Sequence, residues 1–251
     1  HADLDALAAA LDGAGGRQAT IVTDSVFSMD GDLAPLAGIV ELARRHGARV
    51  IVDEAHATGV IGPGGRGLVA ELGLQGEVDV VLGTLSKALG SYGAFACCSV
   101  QLRAFLVNRA RTLIFSTALP PPSVGAALEA LRIVRDEAAV VGRMRSRASA
   151  LRDALAAEGF AVDAGEMPIV PLVVGDPRAA MDLCEQALEA GVFAQAIRPP
   201  TVPEGTSRLR LVARADHAEA DLRAAARTLG ALARAAGHRR EPDRLPAAPQ
   251  G

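Results

Sequence analysis

Short apolar runs that alternate with helical patterns are the feature of this sequence that most restricts its fold. Strand-like runs occupy residues 19–23, 49–53 and 78–82. Between the first two, Pro35 opens a helical pattern that continues to about His46. Strands separated by helices pair side by side in one direction, so this order predicts a parallel or mixed sheet with helices on both faces. The expected fold class is α/β, with a mostly parallel sheet flanked by helices.

A second, smaller pattern follows a proline-rich break. Pro120, Pro121 and Pro122 precede a long helical region from Ser123 to about Glu158. Beyond it, strands are predicted at 168–174, 192–197 and 208–212, and helices at 177–190 and 216–236. We therefore predict a large domain over 1–136, a small C-terminal α+β domain over 137–236, and a disordered tail over 237–251.

Composition excludes several classes of function. A net charge of −3 and a pI of about 6.0 give no electrostatic reason to bind nucleic acid or an anionic membrane. No segment is long and apolar enough to cross a membrane, and no secretory signal is visible. The cysteines lack metal-ligand spacing, and Cys97 and Cys98 are expected to be small core residues. We therefore expect a cytoplasmic protein without a metal site.

Lys87 is the only lysine among 251 residues. Arginine cannot replace lysine where the chemistry needs an amine that loses its proton. The main such role is an imine with a carbonyl compound, as in pyridoxal phosphate (PLP) enzymes. The run at 78–82 leads to Lys87, and the carboxyl ends of strands are where open α/β sheets bind ligands. The alternative is a surface lysine that remains in an arginine-biased composition.

Asp53 and His56 form a second candidate pair. Asp53 ends the run at 49–53, so its carboxylate points toward the same ligand-binding edge. A carboxylate there can keep a pyridine nitrogen protonated. His56 could form a hydrogen bond to a ring oxygen or stack near it. The alternative gives Asp53 a helix-capping role and leaves His56 as a polar residue at the rim.

Asp-Glu-Ala-His, at residues 53–56, is also the magnesium-binding strand end of a family of nucleotide-driven helicases. That function needs a Gly-x-x-x-x-Gly-Lys-Ser/Thr phosphate loop, which this sequence lacks. The acidic net charge and the single lysine also disfavour a nucleic-acid motor. A helicase-like module is therefore the weaker hypothesis.

Further polar residues are candidates for anion binding. Ser28 and Thr84 end or follow strands, where hydroxyl groups suit a phosphate or a ring substituent, although turn capping is the alternative. The glycine-rich run 62–67 has no recognised phosphate-loop spacing, and a connecting loop explains its glycines as well. Arg208 and Arg210 share one strand face and could clamp a carboxylate, or lie on an edge strand as surface residues.

Together these segments resemble the α-oxoamine synthases, PLP-dependent transferases of fold type I. The matching segments are Ser-Met-Asp-Gly-Asp at 28–32, Val-Asp-Glu-Ala-His-Ala-Thr-Gly-Val-Ile-Gly from 52, Gly-Arg-Gly from 65, Gly-Thr-Leu-Ser-Lys-Ala-Leu-Gly from 83, and Ala-Ile-Arg-Pro-Pro-Thr-Val-Pro-Glu-Gly-Thr-Ser-Arg-Leu-Arg from 196. The similarity keeps its order from residue 1 to about 236.

The resemblance implies a role for each candidate residue. Lys87 forms the imine with PLP, Asp53 pairs with the pyridinium nitrogen, and His56 binds the ring oxygen. The remaining roles are cofactor contacts by Ser28 and Thr84, a substrate-site position for Thr201, and capture of the amino-acid carboxylate by Arg210, with Arg208 as the second choice.

The resemblance is closest to the members that condense L-alanine with pimeloyl-CoA, or with the pimeloyl thioester of acyl carrier protein, in biotin synthesis. The family's other enzymes, 2-amino-3-ketobutyrate CoA ligase, 5-aminolevulinate synthase and serine palmitoyltransferase, are the alternatives. The resemblance also implies a homodimer. Family members carry an upstream region that this sequence lacks, which leaves open a second alternative, an inactive dimer partner.

Overall fold

The computed structural model describes residues 1–137 and 139–237. These divide into two compact units. One, the sheet unit, comprises residues 2–27 and 33–137. The other, the C-terminal unit, comprises residue 1, residues 28–32 and the described residues from 139 onward. The predicted tail lies outside the described residues except for Gly237.

The sheet unit is built on four strands, β1 (Thr20–Asp24), β2 (Arg49–Asp53), β3 (Val80–Thr84) and β4 (Ala94–Cys98), in that spatial order. The first three are parallel, and β4 runs antiparallel to β3. The prediction of a mostly parallel sheet is thus confirmed. Its helices are α1 (Leu4–Asp12), α2 (Leu36–His46), α3 (Leu68–Glu71), α4 (Val100–Arg109), α5 (Arg111–Ile114) and α6 (Pro121–Asp136), with a 3₁₀ turn at Pro63–Gly65.

Helix α2 illustrates how the sequence sets these elements. Its apolar residues recur at helical spacing, and Leu36, Ile39, Val40 and Ala43 are all buried. The helix ends at Gly47, whose φ of 61° is the left-handed conformation that glycine adopts without steric cost. The short connection that follows leads directly into β2.

The C-terminal unit contains a three-stranded antiparallel sheet in the order β5, β7, β6. Its strands are β5 (Ile169–Gly175), β6 (Gln195–Ile197) and β7 (Ser207–Val212), and its helices are α7 (Ala139–Ala157), α8 (Pro177–Glu189) and α9 (Glu219–Ala235). The buried Arg152 of α7 donates hydrogen bonds to the carbonyl groups of Met167 and Ile169 and pairs with Asp163. This arginine therefore ties α7 to the start of β5.

Two expectations were wrong in detail. The helical region predicted from Ser123 to Glu158 is divided, because α6 ends at Asp136 and α7 begins at Ala139. Cys97 and Cys98 are not core residues, since Cys97 is exposed and Cys98 only half-buried. They lie on β4, at the edge of the four-stranded sheet. Within the described part of the chain, none of the helices has the length and apolarity needed to cross a membrane.

Candidate active site

The carboxyl ends of three parallel strands bring the sheet unit's polar candidates to one edge. Strand β1 ends at Asp24, β2 at Asp53 and β3 at Thr84. The register pairs Asp24 directly with Asp53. Parallel neighbours in register point to the same face, so the two carboxylates lie side by side. The structure therefore forms an acidic strand edge next to the segment that carries Lys87.

A short loop between β3 and β4 carries Lys87. The backbone N–H of Leu85 donates to the carbonyl of Gly93 over 2.9 Å, and the N–H of Ser91 donates to the carbonyl of Leu85 over 2.8 Å. At the start of the loop, the hydroxyl of Thr84 lies 2.7 Å from that of Ser86. These bonds clamp the loop at its base and leave the Lys87 side chain exposed at the sheet edge.

The amine of Lys87 meets the imidazole of His56. The distance from Lys87 Nζ to His56 Nε2 is 2.8 Å. His56 belongs to the turn after β2, in which the carbonyl of Glu54 accepts hydrogen bonds from the N–H groups of Ala57 and Thr58. The sequence predicted both residues as candidates, and the structure brings them together.

Asp53 is held at the end of β2 by local contacts. Its Oδ1 accepts a hydrogen bond from the N–H of Ala55 over 2.7 Å, and its carbonyl accepts one from the N–H of Ser25 over 2.8 Å. Asp53 thus joins the ends of β1 and β2 and retains a second carboxylate oxygen for a ligand.

Asp24 is a site residue that the sequence analysis missed. Burial raises the pKa of its carboxyl above the ordinary value, and the neighbouring charge of Asp53 adds to this, while the charge of Lys87 acts in the opposite direction. Asp24 therefore lies within the electrostatic reach of both candidates. The signal was available, because Asp24 directly follows the strand-like run 19–23, at a position comparable to that of Asp53 at the end of the run 49–53.

Glu54 is the other missed residue. Its side chain is only 1% exposed, and its Oε1 accepts a hydrogen bond from the N–H of Val69 over 2.8 Å. Burial raises the pKa of this carboxyl, and hydrogen bonds from the N–H groups of Val69 and Leu68 offset part of the increase. A cavity of about 1010 Å³ is lined by Glu54, Thr58 and Arg66, but not by Asp53, His56 or Lys87.

The remaining candidates belong to the C-terminal unit, where Arg208 and Arg210 both reach the segment Ser28–Asp32. Arg208 is 3% exposed and pairs with Asp30. The Nε of Arg210 donates to the carbonyl of Ser28 over 2.6 Å, and burial lowers the pKa of its guanidinium. Thr201 is exposed, in the turn before β7. The two arginines share a strand face as the alternation predicted, but they differ in burial.

The described residues contain no cluster of histidine, cysteine and acidic side chains that could hold a metal ion. The amine, imidazole and carboxylates at the sheet edge are groups that could hold an organic cofactor with an aldehyde and a ring nitrogen.

Comparisons with known proteins find relatives along most of the chain. The 8-amino-7-oxononanoate synthase of Anaeromyxobacter dehalogenans is 47% identical over 222 residues, which cover 88% of this chain and 56% of the relative. The enzyme of the same name from Geobacter sulfurreducens is 46% identical over 237 residues, covering 93% and 60%. The chain thus spans little more than half the length of these relatives.

A solved structure of a serine palmitoyltransferase variant from S. paucimobilis, with a bound PLP–myriocin aldimine, is 33% identical and superposes with a TM-score of 0.90. The match covers 94% of this chain and 60% of that one. The prediction of the PLP-dependent transferase fold, type I, is therefore confirmed. A family model described as aminotransferase class I and II matches residues 1–229, so the chain belongs to this family.

Proposed function

We propose that this chain carries the lysine-bearing part of a PLP-dependent acyltransferase. The observation that carries the proposal is the 2.8 Å contact between Lys87 Nζ and His56 Nε2 beside the carboxylate edge of the sheet. The donor set fits PLP, because it offers an amine for the aldehyde, a carboxylate for the ring nitrogen and an imidazole for the ring oxygen.

The proposed reaction joins L-alanine to pimeloyl-CoA, or to pimeloyl acyl carrier protein, and yields 8-amino-7-oxononanoate, carbon dioxide and the free thiol carrier. It is supported by the relatives of that name at 46–47% identity. When bound, the cofactor supplies an electron-withdrawing pyridinium ring that makes the α-proton of alanine acidic.

We propose a distinct role for each candidate residue of the sheet unit. Lys87 would hold the cofactor aldehyde through its amine, and as a neutral amine it would take the α-proton from alanine. Asp53 would keep the ring nitrogen protonated. His56 would orient the amine of Lys87 and donate to the ring oxygen, and Thr84 would contact the phosphate group.

The C-terminal unit would contribute the substrate contacts. Arg210 is the better candidate for the amino-acid carboxylate, because Arg208 is almost fully buried and already paired with Asp30. Ser28 is proposed as a cofactor contact and Thr201 as a substrate-site residue. We propose that the two units correspond to a cofactor domain and a smaller substrate domain. They follow the predicted division after residue 136, except that residues 1 and 28–32 belong to the C-terminal unit and residue 137 to the sheet unit.

The first experiment is an absorption spectrum of the purified chain with added PLP, before and after borohydride reduction, followed by peptide mapping. We expect a visible imine band and a reduced adduct on Lys87. The Lys87→Arg variant, which keeps the positive charge, should show neither. An adduct confined to the N-terminal amine would contradict the proposal.

Serine palmitoyltransferase activity is the second candidate, since a structure of that name superposes with a TM-score of 0.90. Its lower identity of 33%, against 47% for the biotin-pathway relative, makes it the weaker one. Release of free thiol from pimeloyl-CoA with alanine, glycine or serine would separate them. Preference for alanine supports the first function, and preference for serine or glycine rejects it.

We also propose that the protein is a cytoplasmic homodimer. Helices α4 and α5, both of which the structure describes in full, contain no buried residue. They expose large apolar side chains, including Phe105, Leu113 and Ile114. Exposed apolar surface of this kind is typical of an association surface. Sedimentation of the purified chain tests the dimer, and a monomer at micromolar concentration would contradict it.

A further inference from the structure

We propose that Glu54 is a positioning residue, which fixes the turn after β2 so that His56 meets Lys87. This inference rests on the proposed role of the Lys87–His56 pair. The Glu54 side chain is buried, and it accepts a hydrogen bond from the N–H of Val69 in α3, away from the ligand edge of the sheet.

The side chain of Glu54 is anchored on a second segment of the sheet unit. Its Oε1 accepts the 2.8 Å hydrogen bond from Val69 at the start of α3. Its Oε2 lies so close to Gly67 that a Cβ atom there would be 1.5 Å away. Only glycine can occupy that position, since any side chain would displace the carboxylate.

The backbone of Glu54 is fixed at the same time. Its N–H donates to the carbonyl of Leu82 in β3 over 2.8 Å, and its carbonyl accepts bonds from the N–H and the hydroxyl of Thr58 over 2.8 and 2.9 Å. His56 lies inside this turn, while Lys87 follows β3. Glu54 therefore links the strand that leads to the lysine with the turn that carries the histidine.

The loop between the turn and α3 is closed on itself. The N–H of Gly59 donates to the carbonyl of Gly65 over 2.7 Å, and the N–H of Gly67 donates to the carbonyl of Ile61 over 2.8 Å. The carboxylate of Glu54 lies against Gly67 at the end of this loop and binds the N–H of Val69 just after it. The glycine-rich run thus forms a structural loop that ends at Glu54, as the connecting-loop alternative supposed.

The presence of a carboxyl group at position 54 is easier to explain by a role in positioning His56 than by stability alone. Burying a carboxyl group costs free energy unless it is hydrogen-bonded, and an apolar side chain would avoid that cost. A carboxylate that accepts hydrogen bonds from the N–H groups of α3 fixes the orientation of the turn after β2, which an apolar side chain could not do because it forms no directional bonds.

The test uses nuclear magnetic resonance of the histidine rings in the chain without cofactor. The signal of His56 is assigned with His56→Gln, and its titration midpoint is compared in wild type, Glu54→Gln, Glu54→Asp and the exposed control Glu77→Gln. Positioning predicts that Glu54→Asp, whose carboxylate is too short to reach Val69, releases His56 from the cation of Lys87, whereas Glu54→Gln keeps the acceptor oxygen and with it the contact. Because a nearby positive charge disfavours protonation, the midpoint in Glu54→Asp should rise by about 0.5 pH unit or more.

A purely electrostatic effect of Glu54 predicts a different pattern. Loss of its negative charge would lower the midpoint in Glu54→Gln and leave Glu54→Asp unchanged. Either that pattern, or midpoints equal to those of the control, would overturn the positioning role. If the Glu54 variants do not fold, Val69→Pro removes the N–H group that the Glu54 carboxylate binds, in the first turn of α3, where proline is tolerated. A rise then supports the proposal, and an unchanged midpoint overturns it.

The two proposals fail separately. If the midpoint rises in Glu54→Asp but the wild-type chain forms no imine with PLP, the proposed function is wrong and the positioning role stands. If the wild-type chain forms the imine and the midpoint in Glu54→Asp does not move, the positioning role is wrong and the proposed function stands.

Discussion

The Nζ atom of Lys87 lies 2.8 Å from Nε2 of His56, although 31 residues separate them in the sequence. The contact arises because each residue follows one of two adjacent parallel strands, β2 and β3. Strand ends that are neighbours in a sheet bring distant segments together. The pair is thus a product of topology, which local sequence spacing does not reveal.

Replacing His56 with glutamine should weaken the chemistry without unfolding the chain. Since the imidazole contacts the amine of Lys87, we expect kcat to fall by about 100-fold, because the partner that orients the amine and donates to the ring oxygen is lost. The measurement is kcat for thiol release together with the melting temperature. His46→Gln, at the end of α2, is the control and should retain full activity. Equal activity of both variants would contradict the assigned role.

Asp24→Asn should stabilise the protein near neutral pH. The carboxyl pKa of Asp24 is raised above its ordinary value of 3.8, chiefly by burial. The folded state thus binds a proton more readily than the unfolded state, and stability is lost as the pH rises from about 3.8 through the folded-state pKa. An amide does not carry this penalty.

The free energy of unfolding in urea at pH 7.5 and at about pH 3.5, which is below the ordinary carboxyl pKa of 3.8, tests this prediction. The gain from Asp24→Asn should be larger at the higher pH. Asp153→Asn, at an exposed position of α7, should show no such gain. A gain that is independent of pH would show that removal of the charge is not its cause.

Gly67→Ala should destabilise the sheet unit strongly. Gly67 has a φ of 95°, and an added Cβ would overlap the buried carboxylate of Glu54. Overpacking of this kind, together with backbone strain, should cost about 3 kcal/mol or more. Gly73→Ala is a matched control, because Gly73 has a φ of 69° with no atom within 4 Å of the added Cβ among the described residues. Its cost should be about 1–2 kcal/mol. Urea unfolding gives both values, and equal costs would refute the close contact.

Substitutions of the two arginines of β7 should have different effects, one on stability and the other on substrate binding. Arg208→Ala removes a buried side chain and its pairing with Asp30, so we expect a loss of about 2–4 kcal/mol in the free energy of unfolding. Arg210→Ala should cost about 1 kcal/mol, since Arg210 is only half-buried, but should raise the KM for alanine by about 10-fold or more. A raised KM in Arg208→Ala alone would reverse the assignment.

The parallel pairing of β1 and β2 could be predicted from the sequence. The runs 19–23 and 49–53 are of strand length and are separated by a helix, which leaves few arrangements other than parallel pairing. The break between α6 and α7 was not predictable in the same way. Residues near 137 have ordinary helical preferences, so nothing in the sequence pattern ends the helix there.

The candidate site was predictable for residues that chemistry singles out. Lys87 is the only lysine, and Asp53 ends a strand-like run, so both are recognisable from the order of residues alone. Glu54 has no such signal, because its partners are a backbone N–H at Val69 and the space beside Gly67. Contacts of this kind depend on the path of the chain, and a sequence pattern does not contain them.

Asp53 and Glu54 are consecutive acids with different surroundings. Asp53 lies at the ligand edge of the sheet, whereas the Glu54 side chain is 1% exposed and accepts a hydrogen bond from α3. Exchanging the two would preserve composition, net charge and the number of carboxylates. Any measure of chemical similarity would rate the double exchange as mild. The exchanged protein would nevertheless have a side chain too long for the strand end at position 53 and one too short to reach α3 at position 54. Although the two acids are chemically similar, one is needed for the ligand site and the other for the packing behind it.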